Sequence, residues 1–188
     1  MEIKKIGVYV GSLRKESFSK KTAKVLAQMA PSSIELEIVD LADLEMFNQD
    51  FDDGGRTPVS WTNFRERTGK FDAFLFVTPE YNRSVPAVLK NAIDIGSRPY
   101  GHNVWNGKPA AVISVSPGLL GGFGANNHLR QTLMFLNIAV MAQPEAYIAN
   151  AATLFDEKGA LINDNSREFL QKFMNSFEEW VNTHSLIR

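Results

Sequence analysis

Ile6-Gly7-Val8-Tyr9-Val10-Gly11-Ser12-Leu13-Arg14-Lys15-Glu16-Ser17-Phe18-Ser19 is the stretch on which the fold turns. The run from Ile6 to Val10 is β-branched and aromatic with a glycine after it, which is a strand pattern, and apolar residues then recur at helical spacing from Phe18 to Met29. A strand, a short loop and a helix in that order open an alternating α/β chain.

Working outward, the run from Ile34 to Val39 alternates apolar and acidic residues, as expected of a strand near a sheet edge with one well-covered face, and Asp40 ends it. A polar, glycine-bearing segment from Asp43 to Pro58 carries Phe47 and Phe51 among acids. It is longer than the usual connection of about 4 to 6 residues, and long loops are often functional. Helical spacing resumes from Val59 to Thr68, and Ala73 to Val77 is almost wholly apolar, the pattern of a central parallel strand buried on both faces. Val88, Leu89, Ala92, Ile93 and Ile95 mark the next helix, Ala110 to Val115 the fourth strand, and Asn126 to Leu136 another helix. Ile138 to Met141 and Ala146 to Ile148 read as one last strand interrupted around Pro144, and Phe169, Phe173, Phe177 and Trp180 form the stripe of a C-terminal helix. Five alternations predict a five-stranded, doubly wound parallel sheet with helices on both faces, one domain spanning residues 1–188. Ligands bind such sheets at the carboxyl ends of the strands, so the loops after strands one, three and four are the expected site.

Composition narrows the chemistry. A chain of 188 residues, 44% hydrophobic, suffices for one core. Its net charge of -1 supplies no bulk attraction to nucleic acid or to an anionic membrane, so any phosphate site must be local. With no cysteine, disulfides, thiolate metal sites, thiol nucleophiles and iron-sulfur clusters are excluded, and a reducing compartment fits. The first residues lack a signal peptide's long apolar region, and no stretch approaches the roughly 20 apolar residues of a membrane span. A cytoplasmic protein without membrane insertion is expected.

The loop after the first strand suits a phosphate. Free N–H groups and the positive end of a helix converge there, Ser12, Ser17 and Ser19 offer hydroxyls, and Arg14 can add a charge-assisted bond. The plainer alternative makes Ser17 or Ser19 only a helix cap and Arg14 a solvated charge. Other phosphate motifs fit worse. Five residues, not four, separate Gly101 from Gly107-Lys108, and a strand rather than a helix follows; Asp40 could hold a ribose, yet Gly-x-Gly-x-x-Gly is missing. The loop Thr78-Pro79-Glu80-Tyr81-Asn82-Arg83-Ser84-Val85-Pro86 is stiffened by proline at both ends. Its backbone could grip the polar edge of a flat heteroaromatic ring, with Tyr81 as an apolar wall, or it could be an ordinary turn that Ser84 caps. In the third loop, Ser116 to Gly124, four glycines permit close approach to a ligand or positive φ, and a tight turn needs the same residues.

Gly-Ser-Leu-Arg-x-x-Ser-Phe at 11 to 18, Pro-Glu-Tyr-Asn-x-Ser-x-Pro at 79 to 86, Leu89-Lys90-Asn91-Ala92-Ile93-Asp94, and Gly121-Gly122 ahead of His128-Leu129-Arg130 together resemble the NADPH-dependent FMN reductase family, which includes flavodoxin-like quinone, chromate and azo-dye reductases. The resemblance covers nearly the whole chain. It implies a flavodoxin-like fold and FMN as cofactor, with Ser12, Arg14, Ser17, Phe18 and Ser19 around the FMN phosphate, Pro79, Glu80, Tyr81 and Asn82 along the isoalloxazine, and Ser116 beside it. Family members usually carry asparagine where this chain has Ser19, and often tyrosine where it has Arg83.

The resemblance further implies ping-pong catalysis. NADPH or NADH stacks on the flavin, gives hydride to N5 and leaves, and a quinone, flavin, azo compound or chromate takes two electrons. No side chain is required as a catalytic acid or base. The alternative is a flavodoxin-like electron carrier with no NAD(P)H oxidation of its own, which would ordinarily show a strongly acidic docking face and to which this near-neutral composition gives little support. A flavin-free nucleotide-binding domain is a second rival. His102, His128 and His184 form no His-x-x-x-His pair, so no metal site is expected, and Ser114 two positions before Ser116 breaks any Gly-x-Ser-x-Gly elbow. Met134 and Phe135 are read as core or subunit-contact residues, and a homodimer or homotetramer is implied by the family.

Overall fold

In the computed structural model, which describes residues 3–184, the opening run folds as β1 (Lys4–Val10) and α1 (Phe18–Gln28). Ser17 caps α1 by accepting the N–H of Lys20 on its Oγ at 3.2 Å. The chain continues through β2 (Ile34–Val39), α2 (Gln49–Asp53), α3 (Val59–Gly69), β3 (Ala73–Thr78), α4 (Ala87–Gly96), β4 (Pro109–Val115), α5 (Phe123–Phe135), β5 (Ala139–Val140), β6 (Ala146–Ile148) and α6 (Asp164–His184).

The sheet runs β2-β1-β3-β4-β5, every named pair is parallel, and β6 joins β4 beyond β5. The last strand position is therefore filled by two short pieces. Val140 lies opposite Ala110 and Ala146 opposite Ile113, so the chain takes six steps where β4 takes three, and the extra residues bulge out around Pro144. This is the flavodoxin-like order, in which the winding reverses between β1 and β3 and opens a crevice at their carboxyl ends.

Strand alternation sorts the core into two layers. Ile6, Val8, Val10, Leu75, Val77, Ile113 and Val115 face α1 and α6, where Phe173 and Phe177 are buried. Tyr9, Phe74, Phe76 and Val112 face α3, α4 and α5. That second layer is aromatic: Tyr9 and Phe74 meet Trp105 edge-on at centroid distances of 5.0 and 4.9 Å, and Tyr9 donates its hydroxyl to Thr68 Oγ1 at 3.0 Å. β3 and β4 are buried at every position, as their apolar runs require, whereas edge strand β2 leaves Ile38 exposed.

The expected loop at 43–58 contains a short helix, α2, capped by Asn48. Two anchors hold the segment. Asp52 receives both guanidinium nitrogens of Arg65, at 2.8 and 2.7 Å, and buried Asn91 of α4 accepts the N–H of Phe47 at 2.7 Å while donating to Glu45 O at 3.0 Å. Phe47 stacks on Trp61. α5 begins at Phe123, ahead of the spacing-based start at Asn126, because Phe123 is exposed and Gly124 has no side chain, so neither adds to its apolar stripe. Among the described residues, no helix is long and apolar enough to cross a membrane.

Candidate functional site

At the carboxyl ends of β1, β3 and β4, three loops enclose a cavity of about 190 Å³. Its lining contains Ser12, Arg14, Ser17, Phe18 and Ser19 from the first loop, Pro79, Glu80 and Tyr81 from the second, and Val115, Ser116 and Pro117 from the third. All of the residues singled out from the sequence come together here except Asn82, which lies outside the lining. Pro117 belongs to the expected third loop, though only Ser116 is singled out there; Val115 is not expected, and its strand-end position is the signal that finds it.

The first loop is open to a guest. Among the described residues, no N–H from Ser12 to Ser19 donates to a protein acceptor, and neither the Ser12 nor the Ser19 hydroxyl has a protein partner, although both residues are buried. Arg14 is exposed and pairs with no carboxylate there. Ser17 serves as helix cap and cavity wall together. Phe18 stacks against Phe155 at 6.3 Å, which fixes the entrance of α1 against the segment after β6. Unengaged amides, two serine hydroxyls and the Arg14 guanidinium converge at the start of a helix, so this cluster fits an anionic oxygen-rich group such as a phosphate.

The second loop is a two-residue turn. Tyr81 and Ser84 exchange N–H···O bonds at 3.1 and 3.0 Å, with Asn82 and Arg83 between them at φ 50° and 65°. Left-handed φ at both central positions defines a type I′ turn, which asparagine favours and arginine does not. The turn carries Asn82 to its tip and leaves Tyr81 45% exposed. Glu80, the one carboxylate in the lining, accepts the N–H of Ala125 at 3.0 Å and Arg83 Nη1 at 2.9 Å. Burial pushes its carboxyl upward, but these donors outweigh burial and hold it below the ordinary glutamate range.

In the third loop, Ser116 Oγ accepts the N–H of Gly118 at 3.1 Å, and Gly121 and Gly122 take φ 58° and 79°. A Cβ on Gly122 would lie 2.9 Å from Ser114 Cβ, so the entry to α5 requires glycine. Asn126, fully buried, binds Ser114 Oγ and Ala146 O, both at 3.2 Å, and fastens α5 to β4 and β6. Neither Asn126 nor Asn91 was identified from the sequence as a fastening residue.

Comparison with known proteins agrees with this arrangement. The family model for NADPH-dependent FMN reductase matches residues 4–153. A quinone reductase of Pseudomonas putida is 54% identical over 180 residues, covering 96% of each chain. A 2-hydroxy-1,4-benzoquinone reductase of a Burkholderia species is 44% identical over 177 residues, 94% of this chain and 96% of the relative. Among solved structures, FerB, a flavoenzyme NAD(P)H:(acceptor) oxidoreductase of Paracoccus denitrificans, superposes with a TM-score of 0.90 at 40% identity, covering 97% of this chain and 99% of that one. By its matched residues, its strand order and the three loops that meet at one cavity, this chain belongs to the NADPH-dependent FMN reductase family.

Proposed function

We propose that the protein is a quinone reductase that binds FMN in the cavity between its three loops and draws its electrons from NADPH or NADH. The observation that carries this reading is the cluster of unpartnered donors from Ser12 to Ser19, with Arg14 beside it, at the carboxyl end of β1. These residues would take the phosphate. Pro79, Glu80, Tyr81 and Ser116 would border the ring, with Asn82 contributing from the turn tip through its backbone. FMN held there would supply the two-electron hydride chemistry that no side chain of this chain provides.

The chain's part is to bind and orient. Glu80 is held ionised by Ala125 and Arg83, so it neither donates a proton nor repels an anion freely, and no catalytic acid or base is assigned. Half-exposed Tyr81 presents an aromatic face beside the cavity, suited to planar partners visiting in turn, which supports ping-pong kinetics with a quinone or similar small oxidant. An assembly of two or four copies is supported by exposed Phe135 at a groove of about 590 Å³ between α4 and α5, and by Tyr100 and Met134, which are exposed apolar side chains as well. A cytoplasmic location is supported by the cysteine-free composition.

The test is a visible spectrum of purified protein with FMN, taken before and after anaerobic NADPH and again after a quinone. Bleaching by NADPH and recovery with quinone are expected. Failure of NADPH alone to bleach the flavin would make the protein an electron carrier, and failure to take up FMN at all would remove the proposal.

A further inference from the structure

α5 starts without a cap of its own. Its N-cap residue is Gly122, in the left-handed region, with no side chain to accept the N–H groups of the first turn. The acceptor arrives from elsewhere in the chain. Glu80, 45 residues earlier, places Oε2 3.0 Å from Ala125 N, while its Oε1 is held by Arg83 at 2.9 Å. Contact between these elements is close as well as polar, since a Cβ on Gly124 would lie 2.9 Å from both Glu80 Oε2 and the Arg83 carbonyl oxygen.

Glu80 also borders the cavity through the 79–81 segment, and the loop between β4 and α5 forms the wall with Ser116 and Pro117. One carboxylate thus joins two walls that the sheet alone connects only through β3 and β4. We propose that Glu80 is a positioning residue that latches the turn at 79–84 to the start of α5, and so sets the separation of the walls that would hold the flavin ring. This rests on the FMN reading above. A helix N-terminus attracts the negative charge, and Arg83 supplies a second charge-assisted bond, so the latch is stronger ionised than neutral.

The latch acts on the ring and not on the phosphate, which is gripped by a separate loop. Riboflavin, which lacks the phosphate, therefore separates the two. Glu80→Gln keeps an acceptor oxygen but loses the charge and turns an amide toward Arg83. Both FMN and riboflavin should bind it about tenfold more weakly, corresponding to about 1.4 kcal/mol, with their affinity ratio unchanged and the visible spectrum of bound FMN shifted. Gly124→Ala leaves Glu80 intact but forces the turn tip away from α5. It should reproduce the same joint loss, and Glu80→Asp should recover part of the affinity. Titrations by flavin fluorescence, beside urea unfolding to show that each variant is folded, read these effects. Wild-type affinities for both flavins in Glu80→Gln and Gly124→Ala would overturn the proposal, as would loss of FMN alone with riboflavin retained. A wild-type protein that binds neither flavin would instead refute the underlying assignment.

Discussion

Replacing Arg65 with methionine removes the strongest polar anchor of the 43–58 segment. The guanidinium makes two bonds of 2.8 and 2.7 Å to Asp52 and a third from Nε to the Ile95 carbonyl at 2.9 Å, and it lies 5.5 Å from the Trp61 ring centroid. The side chains are 12% and 6% exposed. Breaking a buried pair by removing one partner typically costs about 3–5 kcal/mol. Here Asp52 keeps the Thr57 hydroxyl at 2.9 Å, and methionine fills much of the space left by the arginine stem, so a loss of about 2–3 kcal/mol is expected. Equilibrium urea unfolding at pH 7 measures it. Adding Asp52→Asn to the methionine variant should recover stability, because no charge is then stranded.

The pH dependence follows from the same contact. The Arg65 guanidinium holds the Asp52 carboxyl below its ordinary value, overcoming burial. A carboxyl depressed in the folded state contributes its stability in full above the unfolded pKa of about 3.9 and gives it up as pH falls through the folded value. The gap between wild type and Arg65→Met should thus be constant from neutral pH to about 5 and narrow only at more acid pH. A loss below about 1 kcal/mol at pH 7, or a gap that closes on the alkaline side, would refute the anchor.

Two further predictions concern the cavity. Arg14→Ala should weaken FMN by roughly 5- to 30-fold, about 1–2 kcal/mol for an exposed charge-assisted bond, with riboflavin affinity and the urea midpoint unchanged, since Arg14 supports nothing in the fold. Equal weakening of both flavins would contradict its phosphate assignment. Gly122→Ala should cost about 2–3 kcal/mol in urea unfolding, from left-handed φ together with the collision at Ser114 Cβ, and a variant of undiminished stability would disprove that need for glycine.

Much of this was legible in the residues because the physics is local. β3 and β4 are buried on both faces, so their sequences are continuous apolar runs. β2 lies at the edge, so it alternates. The interruption at Pro144 was visible, though not that the two pieces share one neighbour with a bulge between them. Helix α2 was not legible, since five residues are too few for a helical period and its support comes from Arg65 and Asn91 farther along. The same limit hid the polar fasteners. Glu80 reaches Ala125 across 45 residues and Asn91 reaches Phe47 across 44, and no pattern of spacing encodes a partner so distant. The cavity-lining residues were recognisable as three loop motifs, whereas the turn that carries Asn82 out of the lining depends on two left-handed residues, one of them an arginine.

The unengaged amides between Ser12 and Ser19 bear on what a guest would disturb. β1 is tied to β2 and β3, and α1 is closed by Ser17 and Lys20, so the scaffold's own bonding runs around this loop without drawing on its donors. An anionic guest held by those amides would therefore displace none of the bonds that fix β1 and α1 in place.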